Sequence, residues 1–150
     1  HGRAAMRPMR QTTEACENPA VTSYYELGAA NERVAQLRPI LTALRDARDE
    51  IAAGQQRLAR LQTAADVDPA LVQREQAAMT ATVRSMEQAV RQIDAWGVTL
   101  RDIGTGLVDL PALVSGRPIW LCWKLGEDDI AYWHELDAGI AGRRPLIELE

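Results

Sequence analysis

The spacing of apolar residues changes once along this chain, from a helical repeat to strict alternation, between Trp96 and Gly106. A helical stripe must bury one side of a helix, whereas alternation must bury one face of a sheet. A chain with one such switch folds as helices first and strands second, which makes the class α+β.

Before the switch, Val34, Leu37, Leu41, Leu44, Ile51 and Leu58 follow steps of three and four. That is a coiled-coil-like stripe, interrupted by Arg48 and Gln55 and widened by Ile40 and Leu61. Pro39 lacks a donor and clashes with the preceding turn. It predicts a kink or break near Arg38, with Leu27 to Arg38 as a short first helix. Asp68 is a good N-cap and Pro69 suits the first helical position, so a second long helix runs from there to about Trp96. Val72, Met79, Met86, Ile93 and Leu100 are spaced by seven along it, as are Val83 and Val90. Gly97 is a plausible C-cap. The short link makes the two helices antiparallel. At 1.5 Å per residue the second spans roughly 40 Å. A hairpin that long leaves apolar surface for another layer, so a homodimer through the helices is expected. The outward positions mix Arg45, Asp49, Arg60, Glu75, Arg84 and Glu87, a solvated face rather than a binding patch.

After about Thr105 the alternation predicts three strands, 107–114, 117–125 and 129–136. Ser115-Gly116 is a two-residue hairpin turn. It pairs Val114 with Arg117, Leu110 with Leu121, Asp109 with Cys122 and Val108 with Trp123. A second tight turn after Leu125 would pair Leu125 with Ile130, Trp123 with Tyr132, Cys122 with Trp133 and Leu121 with His134. One face then holds Val108, Leu110, Ala112, Ile119, Leu121, Trp123, Leu125, Ile130, Tyr132, Leu136 and His134, and packs on the helices. The other holds Leu107, Asp109, Pro111, Trp120, Cys122, Lys124, Ala131, Trp133 and Glu135. Pro111 cannot donate to a ladder and belongs on an edge strand.

Composition adds exclusions. The 150 residues are 47% apolar and 25% charged, with a net charge of −4. These values suit a soluble domain and argue against nucleic acid as partner. No apolar run reaches the roughly 18 residues of a membrane span, so no membrane partner is expected. Residues 1–21 are read as a flexible tail with basic side chains and no secretory signal, which leads to the expectation of a cytoplasmic protein with reduced thiols. Cys16 in that tail is incidental. Residues 22–150 form the domain, with the hairpin over 22–98 and the meander and its tail over 105–150.

Four stretches resemble one bacterial family of small domains of unknown function: Gly106-Leu107-Val108-Asp109-Leu110-Pro111, Leu121-Cys122-Trp123-Lys124-Leu125-Gly126-Glu127, Tyr132-Trp133-His134-Glu135 and Gly142-Arg143-Arg144-Pro145. Glu26-Leu27-Gly28-Ala29-Ala30-Asn31 opens the helical half in a similar way. The resemblance covers about Tyr24 to Pro145. It departs from the family pattern at Leu110, where that pattern has Phe, and at Lys124, where it has Arg. It implies no activity and carries over no catalytic residue.

Candidate site residues come from the residue types themselves. They are Asp109, Cys122, Trp123, Glu127, Tyr132, Trp133, His134, Arg143 and Arg144. His134 reads as a buried histidine bonded to a helix carboxylate (Asp94 or Asp102) or a carbonyl, or as an acid–base group. The expected register sets Cys122 and His134 on opposite faces. It therefore disfavours a metal on Cys122, Glu127, His134 and Glu135, and no metal and no cofactor are expected. Cys122 beside a carboxylate, away from any cation, should have a raised pKa and be a poor nucleophile. Arg143 or Arg144 would fold back onto Asp109 or Glu135, or hold an anionic ligand between Trp walls. Two functions remain open: a non-catalytic interaction or assembly module that dimerises through its helices, and a small-ligand-binding protein or enzyme sited in the C-terminal cluster.

Overall fold

The computed structural model describes residues 23–149. The predicted tail 1–21 and Cys16 lie outside these described residues. The chain forms helix α1 (Leu27–Thr63) and helix α2 (Pro69–Ala95), then strands β1 (Thr99–Asp102), β2 (Leu107–Val114), β3 (Arg117–Lys124), β4 (Tyr132–His134) and β5 (Arg144–Pro145). Short 3-10 turns at Ile140–Gly142 and Leu146–Glu148 flank β5. The strands form one antiparallel sheet in the order β1-β2-β3-β4-β5. The α+β class and the hairpin stand as expected, but the sheet has five strands rather than three.

Helix α1 runs unbroken for 37 residues with Pro39 inside it, so the expected short first helix does not exist. An internal proline costs about 3 kcal/mol. Val34, Leu37, Leu41 and Leu44 flank Pro39 and are at most 1% exposed. Burying one such side chain contributes about 1.5–3 kcal/mol, so the packed stripe outweighs the lost hydrogen bond. Asp68 caps α2 as expected, its side chain accepting from the Ala70 N–H at 3.0 Å. At the other end Gly97 (φ 74°) lets the chain leave the helix. The Gly97 N–H donates to Asp94 O at 2.9 Å and the Val98 N–H to Ile93 O at 3.2 Å. These two bonds and the shared burial of Ile93 and Val98 make a Schellman ending. It turns the chain at once into β1.

The β2–β3 hairpin has the predicted register, from Val114 opposite Arg117 to Val108 opposite Trp123. Ser115 (φ 52°) and Gly116 (φ 77°) both adopt the left-handed conformation of a type I′ turn. Val108, Leu110, Ala112, Ile119, Leu121 and Trp123 pack with Ala30 to Leu44 of α1 and Ile93 of α2. The sheet thus closes the open end of the hairpin. Because β1 is present, β2 is not an edge strand. Pro111 is accommodated because β1 pairs only as far as Asp109. Past that point the Tyr25 N–H donates to the Pro111 carbonyl at 2.7 Å.

The register of β4 differs from expectation by one residue. Trp120 faces His134, Leu121 faces Trp133 and Cys122 faces Tyr132. The hairpin turn that would pair Leu125 with Ile130 does not form; the chain turns earlier, where the Glu127 N–H donates to Lys124 O at 3.1 Å, and the rest of the loop is claimed by other partners. The Ile130 N–H donates to Asn31 Oδ1 of α1 at 2.8 Å, and Trp123 Nε1–H donates to Asp128 O at 2.7 Å. The Lys124 N–H donates to Glu127 Oε1 at 3.1 Å. A slip of one residue exchanges the two faces of a strand. Trp133 therefore joins the helix-facing core, and Tyr132 and His134 move to the outer face.

Gly106 gives a direct test of the packing. It has φ 67° and a Cβ there would lie 2.5 Å from Leu125 Cγ. Strain and overpacking together should make Gly106→Ala cost about 2–4 kcal/mol, read as a lower urea midpoint with unchanged helical circular dichroism.

Candidate functional site

Three chemically active side chains meet on the outer face of the sheet. Asp109 on β2 lies opposite Cys122 on β3, and His134 on β4 reaches the same place from beside Trp120. All three are buried, and one ligand atom from each lies within 4.8 Å of the others. Asp109 Oδ1 and His134 Nε2 are 3.0 Å apart. His134 Nδ1–H donates to the Glu135 carbonyl at 2.8 Å. A carbonyl only accepts, so this contact fixes the hydrogen on Nδ1 and turns Nε2 toward the carboxylate.

Arg101 supplies the other half of the Asp109 environment. Its Nε–H donates to Asp109 Oδ2 at 2.8 Å. The β1–β2 register shifts between Leu100 and Asp102, so Arg101 stands at a bulge. Bulges re-aim side chains, and this one points a cation at a buried acid. Neither Asp94 nor Asp102 is the partner of His134. Asp102 instead accepts from the Thr105 N–H and hydroxyl at 2.8 and 2.7 Å. Those bonds, hydroxyl first, hold its carboxyl below the ordinary value.

The segment after β4 folds back over this face, and Arg143 anchors it. Its guanidinium donates to both Glu127 carboxylate oxygens at 2.7 and 2.8 Å, to Cys122 Sγ at 3.3 Å and to Cys122 O at 3.2 Å. It also stacks 4.2 Å from the Tyr132 ring centre. Burial pushes the Cys122 thiol up to about 11, and the hydrogen bond from Arg143 works against that rise. The thiol is high because it is buried; the expected absence of a nearby cation was wrong. Burial alone would raise the Glu127 carboxyl. The Arg143 pair and the Lys124 N–H outweigh burial and hold it below its ordinary 4.5.

The remaining expected site residues separate. Trp123 is core and Arg144 is exposed on β5. Trp133 is 2% exposed on the helix side, where its Nε1 has no hydrogen-bond partner. Arg143 pairs with Glu127, not with Asp109 or Glu135; Glu135 is instead paired with Arg117. Arg101 was missed, because β1 is only four residues long and Leu100 completes the heptad row of α2. Its signal was the alternation Thr99-Leu100-Arg101 after a helix-ending glycine.

Asp109, Cys122, His134, Arg101 and Leu107 floor a cavity of about 270 Å³, roofed by residues 136–140. Larger cavities exist, of about 470 Å³ beside Trp120, about 480 Å³ beside Leu146 and about 460 Å³ near the hairpin tip, the last lined by Arg57, Arg60, Arg74 and Glu75, but in none of them do a carboxylate, a thiol and an imidazole meet. Drug-sized ligands fill roughly 300–1,000 Å³. At about 30 Å³ per water, the smaller cavity has the volume of about nine waters and suits a hydrated ion or a small molecule of about that many heavy atoms.

The Glu127–Arg143 pair carries a sign that can be checked. A carboxyl with a lowered folded pKa contributes stability above its unfolded value, and that contribution is lost as pH falls through the folded one. Between about pH 5 and about pH 3 the wild-type urea midpoint should therefore fall more steeply than that of Glu127→Gln.

No helix among the described residues is long and apolar enough to cross a membrane. No curated protein and no solved structure matches the chain significantly. The family model described as "Uncharacterized conserved protein (DUF2203)" matches residues 23–146. The chain therefore belongs to the DUF2203 family of uncharacterised conserved proteins.

Proposed function

We propose that this protein binds a small ligand in the outer-face cavity, with Asp109, Cys122 and His134 as its floor. The observation that carries this reading is the burial of Asp109 and His134, each 2% exposed, beside open space rather than inside the apolar core. Burying ionisable groups costs several kcal/mol unless they are paired. A fold that needed only stability would fill these positions with apolar side chains, as the helix-facing side does. Strongly interacting titratable groups in a cleft are a common mark of a functional site. The site has an acid–base pair in His134 and Asp109 and two fixed cations in Arg101 and Arg143. The reading goes with a reducing, cytoplasmic setting in which the Cys122 thiol stays free.

Native mass spectrometry tests it, paired with a denaturing spectrum. The protein should carry an added mass that denaturation releases and that Asp109→Asn lacks. The overturning result is a protein that carries no added mass and gains no thermal stability from divalent ions or small organic acids.

Helix-mediated assembly is a second, compatible reading. Beyond Leu44 the only buried residues of the hairpin are Gly54 and Ile93, and Val67, Leu71 and Val83 are 40–42% exposed. That leaves half-exposed apolar side chains on the far part of the hairpin that a second copy of the chain would cover. The same native spectra should show a dimer, and Leu71→Glu with Val83→Glu should convert it to monomer. A monomeric wild-type protein at micromolar concentration would sink this reading alone.

A further inference from the structure

We infer that the ligand at this site is a transition-metal ion, with zinc the best fit, held by Asp109 Oδ1, His134 Nε2 and Cys122 Sγ. The inference rests on the small-ligand reading and names the chemistry of that ligand.

Three features carry it. First, the donor set is right. Zinc takes carboxylate, imidazole and thiolate ligands, and three protein ligands with a fourth open position is the pattern of a reactive rather than a structural site. Second, the spacing is close. With bonds of about 2.0–2.3 Å, two ligand atoms at the tetrahedral angle lie about 3.3–3.6 Å apart. Asp109 Oδ1 and His134 Nε2 are 3.0 Å apart and all three donors fall within 4.8 Å. Binding needs the sulfur to close in by about an ångström, with little change elsewhere. Third, the surroundings already orient the ligands. A metal-bound histidine almost always donates its second ring N–H to a carbonyl or carboxylate. His134 Nδ1–H does so to the Glu135 carbonyl. Arg101 occupies Asp109 Oδ2 and leaves Oδ1 for the site. Arg143 Nε–H points at Cys122 Sγ, where it would stabilise a thiolate.

The charges also close. Two acceptors, Nε2 and Oδ1, face one another across 3.0 Å in a buried place. Arg101 balances the carboxylate at Oδ2, but the two facing acceptors still need a proton or a cation between them. A proton can serve, and so can a divalent ion. Zinc with one thiolate and one carboxylate is neutral, and two protons leave to solvent on binding, one from Cys122 and the one held between Nε2 and Oδ1. The fourth position opens onto the cavity of about 270 Å³, which leaves room for a water or a small oxyanion. The expected β4 register separated Cys122 from His134 and so spoke against a metal. The observed register removes that objection.

The test uses the whole chain, freed of metal by chelator and then titrated with zinc against a chromophoric competitor, and in parallel with cobalt(II). One equivalent should bind per chain. The cobalt form should show a thiolate-to-metal charge-transfer band that Cys122→Ser abolishes. Asp109→Asn, His134→Gln and Cys122→Ser should each weaken zinc by more than about 100-fold, beyond the 10–100-fold that an outer partner costs. If a variant fails to fold, the cobalt band of the wild-type protein still reports sulfur ligation. No uptake, or uptake without the thiolate band, overturns the inference. Native mass spectrometry separates the two failures. A non-metal mass lost in Asp109→Asn keeps the ligand site and removes the metal. No retained mass and no metal uptake remove both.

Discussion

Asp109 places a carboxylate at 2% exposure in the second strand of a five-stranded sheet. A lone buried charge of this kind costs several kcal/mol, so the surrounding structure must neutralise it. Two strands do so from opposite sides. The bulge in β1 brings Arg101 to one carboxylate oxygen, and the register of β4 brings His134 to the other. Cys122 sits opposite Asp109 because the β2–β3 turn fixes the pairing. Arg143 then closes over Cys122 and ties the chain after β4 to Glu127. Each of these elements is short, and each brings a side chain to the same small site.

The hairpin obeys a different constraint. Its first third is a wall of the core, where Ala30, Val34, Leu37, Leu41 and Leu44 meet the sheet. Apart from the end of α2 around Ile93, which also faces the sheet, the rest is two helices against each other. Gly54 permits a close approach there, since a Cβ on it would lie 2.9 Å from Met79 Sδ. Arg57 is held by Glu75 and Glu50 at 2.8 and 2.7 Å, a contact too exposed to add more than a little stability. The apolar residues on this section are therefore only half covered, in contrast with those at the sheet end.

Most of the fold was legible in the sequence where one local rule decided the outcome. Asp68-Pro69 started a helix, Ser115-Gly116 set a register, and the heptads set two antiparallel helices. The sequence misled where a distant partner overrode a local rule. Pro39 suggested a break, but the flanking leucines are held by the sheet from about 80 positions away. Leu125 to Ile130 suggested a tight turn, but Asn31 captures the Ile130 N–H. That single long-range hydrogen bond accompanies the shift that moved His134 beside Asp109. The candidate site was legible as a list of residue types and not as a place. Asp109, Cys122 and His134 were all named, but their meeting depends on a loop whose length the alternation does not encode. Arg101 escaped because a four-residue strand after a helix has too little pattern to show a period.

The cover over the site is thin, and this bears on how it can work. The helix-facing side of the sheet is sealed by α1 and α2, whose opening would expose much of the core. Among the described residues the outer side is covered by Arg143 and residues 136–140, of which Leu136 is 51% and Ile140 43% exposed. Segments with few buried contacts open locally at a small fraction of the global unfolding free energy. A ligand can therefore reach Asp109, Cys122 and His134 through a displacement of these few residues while the core stays closed. The hairpin tip lies roughly 40 Å away along α2. Assembly through that tip would leave the route into the cavity clear. The alternation of the strands separates the two faces in one small domain: residues that face the helices form the core, and their immediate neighbours in sequence place Asp109, Cys122 and His134 on the outer face.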